Sequence, residues 1–135
     1  MNTLVAVDIS GVVVNLPQDV ANVWVNNIDG IVCASALMEY ELGVEVDTNH
    51  KNKESILTVT FYKEEDFCFE VRFTYNILSF NIKMIQLHYS QDFYNNVSVH
   101  AIAYQHKLSV DFYNCIIVKN EEDMKNLFNF IRFLL

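Results

Sequence analysis

The stretch Leu57-Thr58-Val59-Thr60-Phe61-Tyr62-Lys63-Glu64-Glu65-Asp66-Phe67-Cys68-Phe69-Glu70-Val71-Arg72-Phe73-Thr74-Tyr75 decides the fold class. Leu57, Val59 and Phe61 alternate with Thr58, Thr60 and Tyr62. After an acidic break, Phe67, Phe69, Val71, Phe73 and Tyr75 alternate with Cys68, Glu70, Arg72 and Thr74. A period of two sends successive side chains to opposite sides of a strand, so each run predicts one oily and one polar face. Two such runs around a short polar break predict a β-hairpin that turns at Glu64-Glu65-Asp66.

The same period extends toward the N-terminus, where Met38, Tyr40, Leu42, Val44 and Val46 alternate with Glu39, Glu41, Gly43, Glu45 and Asp47. This predicts a strand with four carboxylates on one face, followed by a loop over the polar run Thr48 to Ser55. On the C-terminal side, residues 80 to 89 are apolar in both alternating sets (Phe80, Ile82, Met84 and Ile85, Leu87, Tyr89), which predicts a strand covered on both sides. Ser90 to Asn96 is expected to be a loop. Val97 to Tyr104 and Leu108 to Val118 then predict two more strands around Gln105-His106-Lys107.

At the N-terminus, Val5 to Asp8 and Gly11 to Leu16 predict a small hairpin around Ser10-Gly11. Pro17 suits a first helical turn, Asp19 follows it, and Val20, Val23, Trp24 and Ile28 recur at spacings of three and four. These features predict a helix over 17–28, stopped by Gly30 and with Trp24 in the core. At the other end, Asn120 can cap a helix that opens on Glu121, Glu122 and Asp123, with Met124, Leu127, Phe128, Ile131 and Leu135 as its buried stripe. The expected fold is α+β: an antiparallel meander sheet of about five strands with an N-terminal and a C-terminal helix packed on it, all in a single domain spanning residues 1–135.

The charge is one-sided. Residues 1 to 50 hold seven acids (Asp8, Asp19, Asp29, Glu39, Glu41, Glu45, Asp47) and no lysine or arginine; the first base is Lys51. Up to residue 79 twelve acids face four bases (Lys51, Lys53, Lys63, Arg72), whereas residues 80 to 135 hold five of each, so the net charge of −8 belongs to the first part. A field of this kind acts on association and choice of partner more than on fold. With a pI near 4.8, the chain is expected to bind no nucleic acid directly, since lysine and arginine supply that affinity.

Cys33, Cys68 and Cys115 are odd in number and set in apolar or strand-like stretches, which predicts reduced core thiols and a cytoplasmic location. Met1-Asn2-Thr3-Leu4 carries neither the basic region of a secretory signal nor the arginines of a transit peptide, and no apolar run reaches about 18 residues, so no membrane span is expected.

No motif for chemistry stands out. Val5-Ala6-Val7-Asp8-Ile9-Ser10-Gly11-Val12 resembles the nucleophile strand of haloacid-dehalogenase-like phosphatases, which runs into Asp-x-Asp-Gly. Ser10 replaces the second aspartate, however, and consecutive strands leave no room for that family's alternating sheet. His50, His88, His100 and His106 lack zinc-module spacing and read as surface or half-buried residues; His100 and His106 are expected to flank a hairpin turn. Cys115 could serve as a nucleophile only if His88 or His100 lay beside it. Paired-carboxylate chemistry needs one acid in an apolar pocket, and Glu39, Glu41, Glu45 and Asp47 share a solvated face instead. Neither a cofactor nor a metal is expected.

What remains is binding. Like charges in neighbouring positions of a sheet are destabilising, so a strand carrying four acids and no base accepts a stability cost. Glu39, Glu41, Glu45 and Asp47, a second patch at Glu64, Glu65 and Asp66, and Tyr62 on an otherwise polar face are the expected partner-binding residues. Tyr113 and the pair Phe93-Tyr94 are further aromatic candidates. In its whole profile the chain resembles the immunity proteins of bacterial contact-dependent and other polymorphic toxin systems: short, acidic, rich in asparagine and phenylalanine, and without catalytic motifs. The resemblance implies a non-enzymatic inhibitor of a basic toxin domain of nuclease type, as a monomer or weak dimer. A phage-type mimic of nucleic acid would need acids spread along an extended surface. An acidic secretion chaperone would use exposed apolar grooves such as the Phe-rich end Phe128 to Leu135.

Overall fold

The computed structural model describes residues 4–28, 30–31, 38–93, 98–111 and 113–134. The N-terminal hairpin pairs β1 (Leu4–Ile9) with β2 (Val12–Pro17) through six register pairs, Leu4↔Pro17 to Ile9↔Val12. Ser10 and Gly11 form its turn at positive φ, and the Gly11 amide donates to Asp8 Oδ1 (2.8 Å). Pro17 ends β2 and precedes α1 (Gln18–Val23), which continues as a π-helical segment over Trp24–Ile28. The helix expected over 17–28 is therefore present, with a change of winding at Trp24. Val20, Ala21, Trp24 and Ile28 are buried.

The main sheet is a five-stranded antiparallel meander in the order β3 (Glu41–Asn49), β4 (Glu54–Lys63), β5 (Asp66–Asn76), β6 (Ile82–Tyr89) and β7 (Cys115–Val118). Between β6 and β7 lies α2 (Val99–Gln105), and α3 (Glu121–Leu134) closes the fold. Asn120 caps α3: its Oδ1 accepts from the Asp123 amide at 2.8 Å. The expected class, an α+β meander with a helix at either end, is the one observed.

One face of the sheet carries the core. Leu57, Val59 and Phe61 of β4, Phe69, Val71 and Phe73 of β5, and Ile85, Leu87 and Tyr89 of β6 are all buried. The helices lie on this face: the Trp24 ring meets Phe73 edge-on at 6.2 Å, and Phe128 of α3 stacks on Phe73 at 6.5 Å. His106, just past α2, packs between Phe130 (5.6 Å) and Phe133 (5.7 Å) of α3. Its Nδ1 donates to the Ile102 carbonyl (2.9 Å).

Five expectations are corrected. Met38 and Glu39 lie in a turn, Glu39 at φ 66°, so the strand begins only at Glu41 and carries three of the four acids. The strands on either side extend into the expected Thr48–Ser55 loop, leaving residues 50–53 as the turn. Residues 80 to 89 are not covered on both sides. Phe80 sits outside β6 at φ 62°, and Met84, Gln86 and His88 remain half-buried.

Residues 99 to 105 form a helix, because Val99 and Ala103, spaced by four, are both buried and Ile102 lies half-buried beside them. His100 therefore lies in a helix and His106 at its end, not around a hairpin. Finally, the strand expected over Leu108 to Val118 shortens to β7. Asp111 Oδ1 accepts from the amides of Tyr113 (2.8 Å) and Cys115 (3.0 Å), turning the chain before the ladder starts. Leu135 of the expected α3 stripe lies outside the described residues; Phe130, not foreseen, is buried in it.

Phe73 carries the contact between sheet and helices, so Phe73→Ala is expected to lower unfolding free energy by about 3–5 kcal/mol, measured by urea denaturation.

Candidate functional site

The candidate site is the opposite, uncovered face of the five-stranded sheet. The register places Glu41 beside Tyr62, Gly43 beside Thr60, Glu45 beside Thr58 and Asp47 beside Ile56. Further in, Thr60 pairs with Glu70, Glu70 with His88 and His88 with Cys115, so one row of side chains crosses four strands. A parallel row runs Glu45, Thr58, Arg72, Gln86 and Ile117.

Two grooves lie on this face and meet at Glu70 and Arg72. One, of about 470 Å³, is lined by Glu45, Asp47, Ile56, Thr58, Thr60, Tyr62 and Phe67 together with those two residues. The other, of about 280 Å³, runs on to Gln86, His88, Asp111, Tyr113, Cys115 and Ile117.

A β-bulge decides part of this surface. Phe61 pairs with Phe69 and Tyr62 with Phe67, leaving Cys68 as the extra residue. Phe61 and Phe69 stack at 4.4 Å on the core side. Phe67, expected on the oily face, is thereby turned to the open face, where its ring lies 6.5 Å from Tyr62 and 6.1 Å from His88. Tyr62 lies across Gly43: a Cβ there would sit 3.4 Å from Tyr62 Cε2.

The charges separate into paired and unpaired groups. Arg72 pairs with Glu70 at 2.8 Å, and Lys83 pairs with Glu54. Among the described residues Glu41, Glu45, Asp47, Glu64, Glu65 and Asp66 make no ion pair. Glu41, Glu45 and Asp47 are exposed along β3 and span about 20 Å at strand rise. Glu64 and Glu65 form the tip of the β4–β5 hairpin beyond the Glu41 end, with Asp66 opening β5. Of the expected binding residues, the fold thus brings Glu41, Glu45, Asp47 and Tyr62 onto one face, adds the 64–66 tip at its end, and leaves Glu39 off the strand. Tyr113 is exposed at the second groove; Phe93 packs against the core, and Tyr94 is outside the described residues.

Glu70, Arg72, Phe67, His88 and Cys115 complete the site without having been singled out as binding residues. The first two were legible as the polar side of a strand. The signal that this side stays uncovered was not in the periodicity.

Cys68 and Cys115 are free thiols and half-buried; Cys68 packs against the core, Cys115 instead lines the second groove, and Cys33 is outside the described residues. His88 does stand directly opposite Cys115, the arrangement a cysteine nucleophile would require. Yet burial, then the Asp111 carboxylate, pushes the Cys115 thiol up, with Arg72 opposing only in part. This favours the neutral thiol, whereas nucleophilic attack needs the thiolate. Burial likewise raises Cys68 and Tyr40, the latter also through Cys68. Among the described residues no group of three or more histidine, cysteine or acidic side chains converges to hold a metal ion, and no helix is long and apolar enough to cross a membrane.

Two outcomes are expected. Glu64 (φ 53°) and Glu65 (φ 70°) hold backbone conformations that suit Asn-Gly, so the double variant Glu64→Asn, Glu65→Gly should raise stability by about 1–2 kcal/mol in urea titrations. The raised thiol and phenol groups bind protons more tightly in the folded chain. Their contribution to stability is full below the ordinary thiol pKa of about 8.5 and is lost as pH rises through their folded values. The urea midpoint should fall on that alkaline side, and Cys68→Ser with Cys115→Ser should flatten the fall. No family model, curated protein or solved structure matches the chain, so its reading rests on this geometry.

Proposed function

We propose that the chain is a non-enzymatic binding protein that neutralises a basic protein partner, acting in the cytoplasm as an immunity protein does for a toxin domain of nuclease type. The observation that carries this reading is the unpaired acidic run Glu41, Glu45 and Asp47 beside an uncovered sheet face with a groove of about 470 Å³. Rigid strands hold these carboxylates in place, so little ordering cost falls on binding. Arg72, the base within the groove, is already engaged by Glu70, and the field of the face is left to the β3 acids.

Such a field steers a cationic cleft toward association rates of ~10⁸ to 10⁹ M⁻¹s⁻¹ at low salt. The rings of Tyr62 and Phe67 supply apolar contact that slows release. Glu64 and Glu65 fit the same reading. Two acids kept at positive φ, where Asn-Gly would relax the turn, hold charge at a cost to the fold.

The test is capture of a stable 1:1 partner from the native host, identified by mass spectrometry, followed by stopped-flow association with it. The combined variant Glu41→Gln, Glu45→Gln, Asp47→Asn should slow association by roughly 10- to 100-fold at low salt. The difference should fade as the screening length falls from about 10 Å at 0.1 M to about 3 Å at 1 M salt. Glu39→Gln, off the strand, should change the rate far less. A partner that binds at the same rate and affinity after charge reversal of Glu41, Glu45 and Asp47 to lysine would sink the proposal.

A further inference from the structure

The two edges of the main sheet are unequal. β7 ends one side and is only four residues long, cut short by the Asp111 turn before it and the Asn120 cap after it. β3 ends the other and runs nine residues, against about 5–6 for an ordinary strand. Its register with β4 is continuous from Glu41↔Tyr62 to Asn49↔Glu54, without a bulge, and Glu41 to Asn49 contains neither proline nor lysine, two devices that usually blunt an edge. Among the described residues no strand pairs with its outer side.

The backbone groups that face outward can be assigned. The Asp47 carbonyl turns toward β4, where it accepts from Ser55 Oγ at 3.1 Å. In an antiparallel ladder the N–H and C=O of one residue point the same way and alternate along the strand. Leu42, Val44, Val46 and Thr48 therefore turn theirs to the free edge, and of these Val46 and Thr48 are exposed.

Each face of β3 sets a requirement for whatever pairs there. On the open face a neighbouring strand would meet Glu41, Glu45 and Asp47; on the other it would continue the half-buried Leu42 and Val44 and the 37% exposed Val46. A second copy of this chain fits poorly, since antiparallel self-pairing would bring acids opposite or diagonal to acids. A strand alternating basic and apolar residues fits both faces.

We infer that the edge of β3 takes up a strand of the basic partner, its lysines or arginines over Glu41, Glu45 and Asp47 and its apolar residues extending the core side, with Leu42, Val44, Val46 and Thr48 making the backbone ladder. This rests on the reading of the chain as a binder of a basic protein and adds the mode of contact.

The probe is a nine-residue peptide alternating lysine and valine, with two controls: a scrambled peptide of the same composition, and the alternating peptide N-methylated on its pairing amides. The alternating peptide should bind at least tenfold more tightly than either control. It should also slow hydrogen exchange at the amides of Leu42, Val44, Val46 and Thr48 at least tenfold. Val46→Pro removes an outward N–H without touching the β3–β4 ladder, and it should weaken binding at least tenfold while thermal unfolding stays cooperative.

Equal binding of all three peptides with the edge amides unprotected would overturn the strand-pairing mode and leave the acidic reading standing. If none of the peptides binds at low salt, both fall. A concentration-dependent dimer of the free chain that Val46→Pro abolishes would overturn the inference by assigning the edge to a second copy. Should Val46→Pro unfold the chain, the N-methylated peptide and the exchange pattern decide on the unaltered protein.

Discussion

Phe73 sits where three layers of contact meet. Its ring lies on the buried side of the central strand β5, Trp24 of the π-helical segment meets it edge-on, and Phe128 of α3 stacks on it. Around it the apolar positions of β4, β5 and β6 form one continuous surface. Burying that surface is the main favourable term in the fold, and the helices share the core with Val7, Ile9 and Leu16 of the N-terminal hairpin. The π-helical winding falls at the point where the indole must reach the sheet, and Arg132 of α3 donates to the Asn27 carbonyl (3.2 Å) within the same segment. The position of the helices and the solvent exposure of the other sheet face follow from this one-sided contact.

The exposed face carries the unpaired charge of this architecture. Acids along an edge strand retain their hydration, so the repulsion among Glu41, Glu45 and Asp47 is partly screened and the fold tolerates it. The same three carboxylates placed on β5 would be flanked by strands on both sides and far less hydrated. There the single deeply placed acid, Glu70, has an arginine within 2.8 Å. Charge is thus paired toward the centre of the sheet and unpaired at its edge.

Much of this organisation was legible in the residues themselves. The alternation over 57–75 and the spacing over 121–131 correspond to a hairpin and a helix because burial on one side imposes a period that side-chain chemistry must follow. The reading failed where local pattern was ambiguous. Val99, Ile102 and Ala103 carry a helical spacing inside a β-branched run, and packing of α2 against α3 through His106 decided it. Cys68 gave no sign of being a bulge. That placement depends on Phe61 and Phe69 stacking across a two-residue turn, a constraint set by two strands together.

By itself the sequence determined the α+β class, the meander order, the two terminal helices and the concentration of negative charge in its first part. These depend on period and composition, which neighbouring residues alone express. Only the tertiary structure decided that Glu39 leaves the acidic strand, that Phe67 joins the open face, and that β3 is a long free edge while β7 is a short one. Each of those depends on which surfaces the helices cover and where the strand ladders end, and contacts between residues distant along the chain settle both.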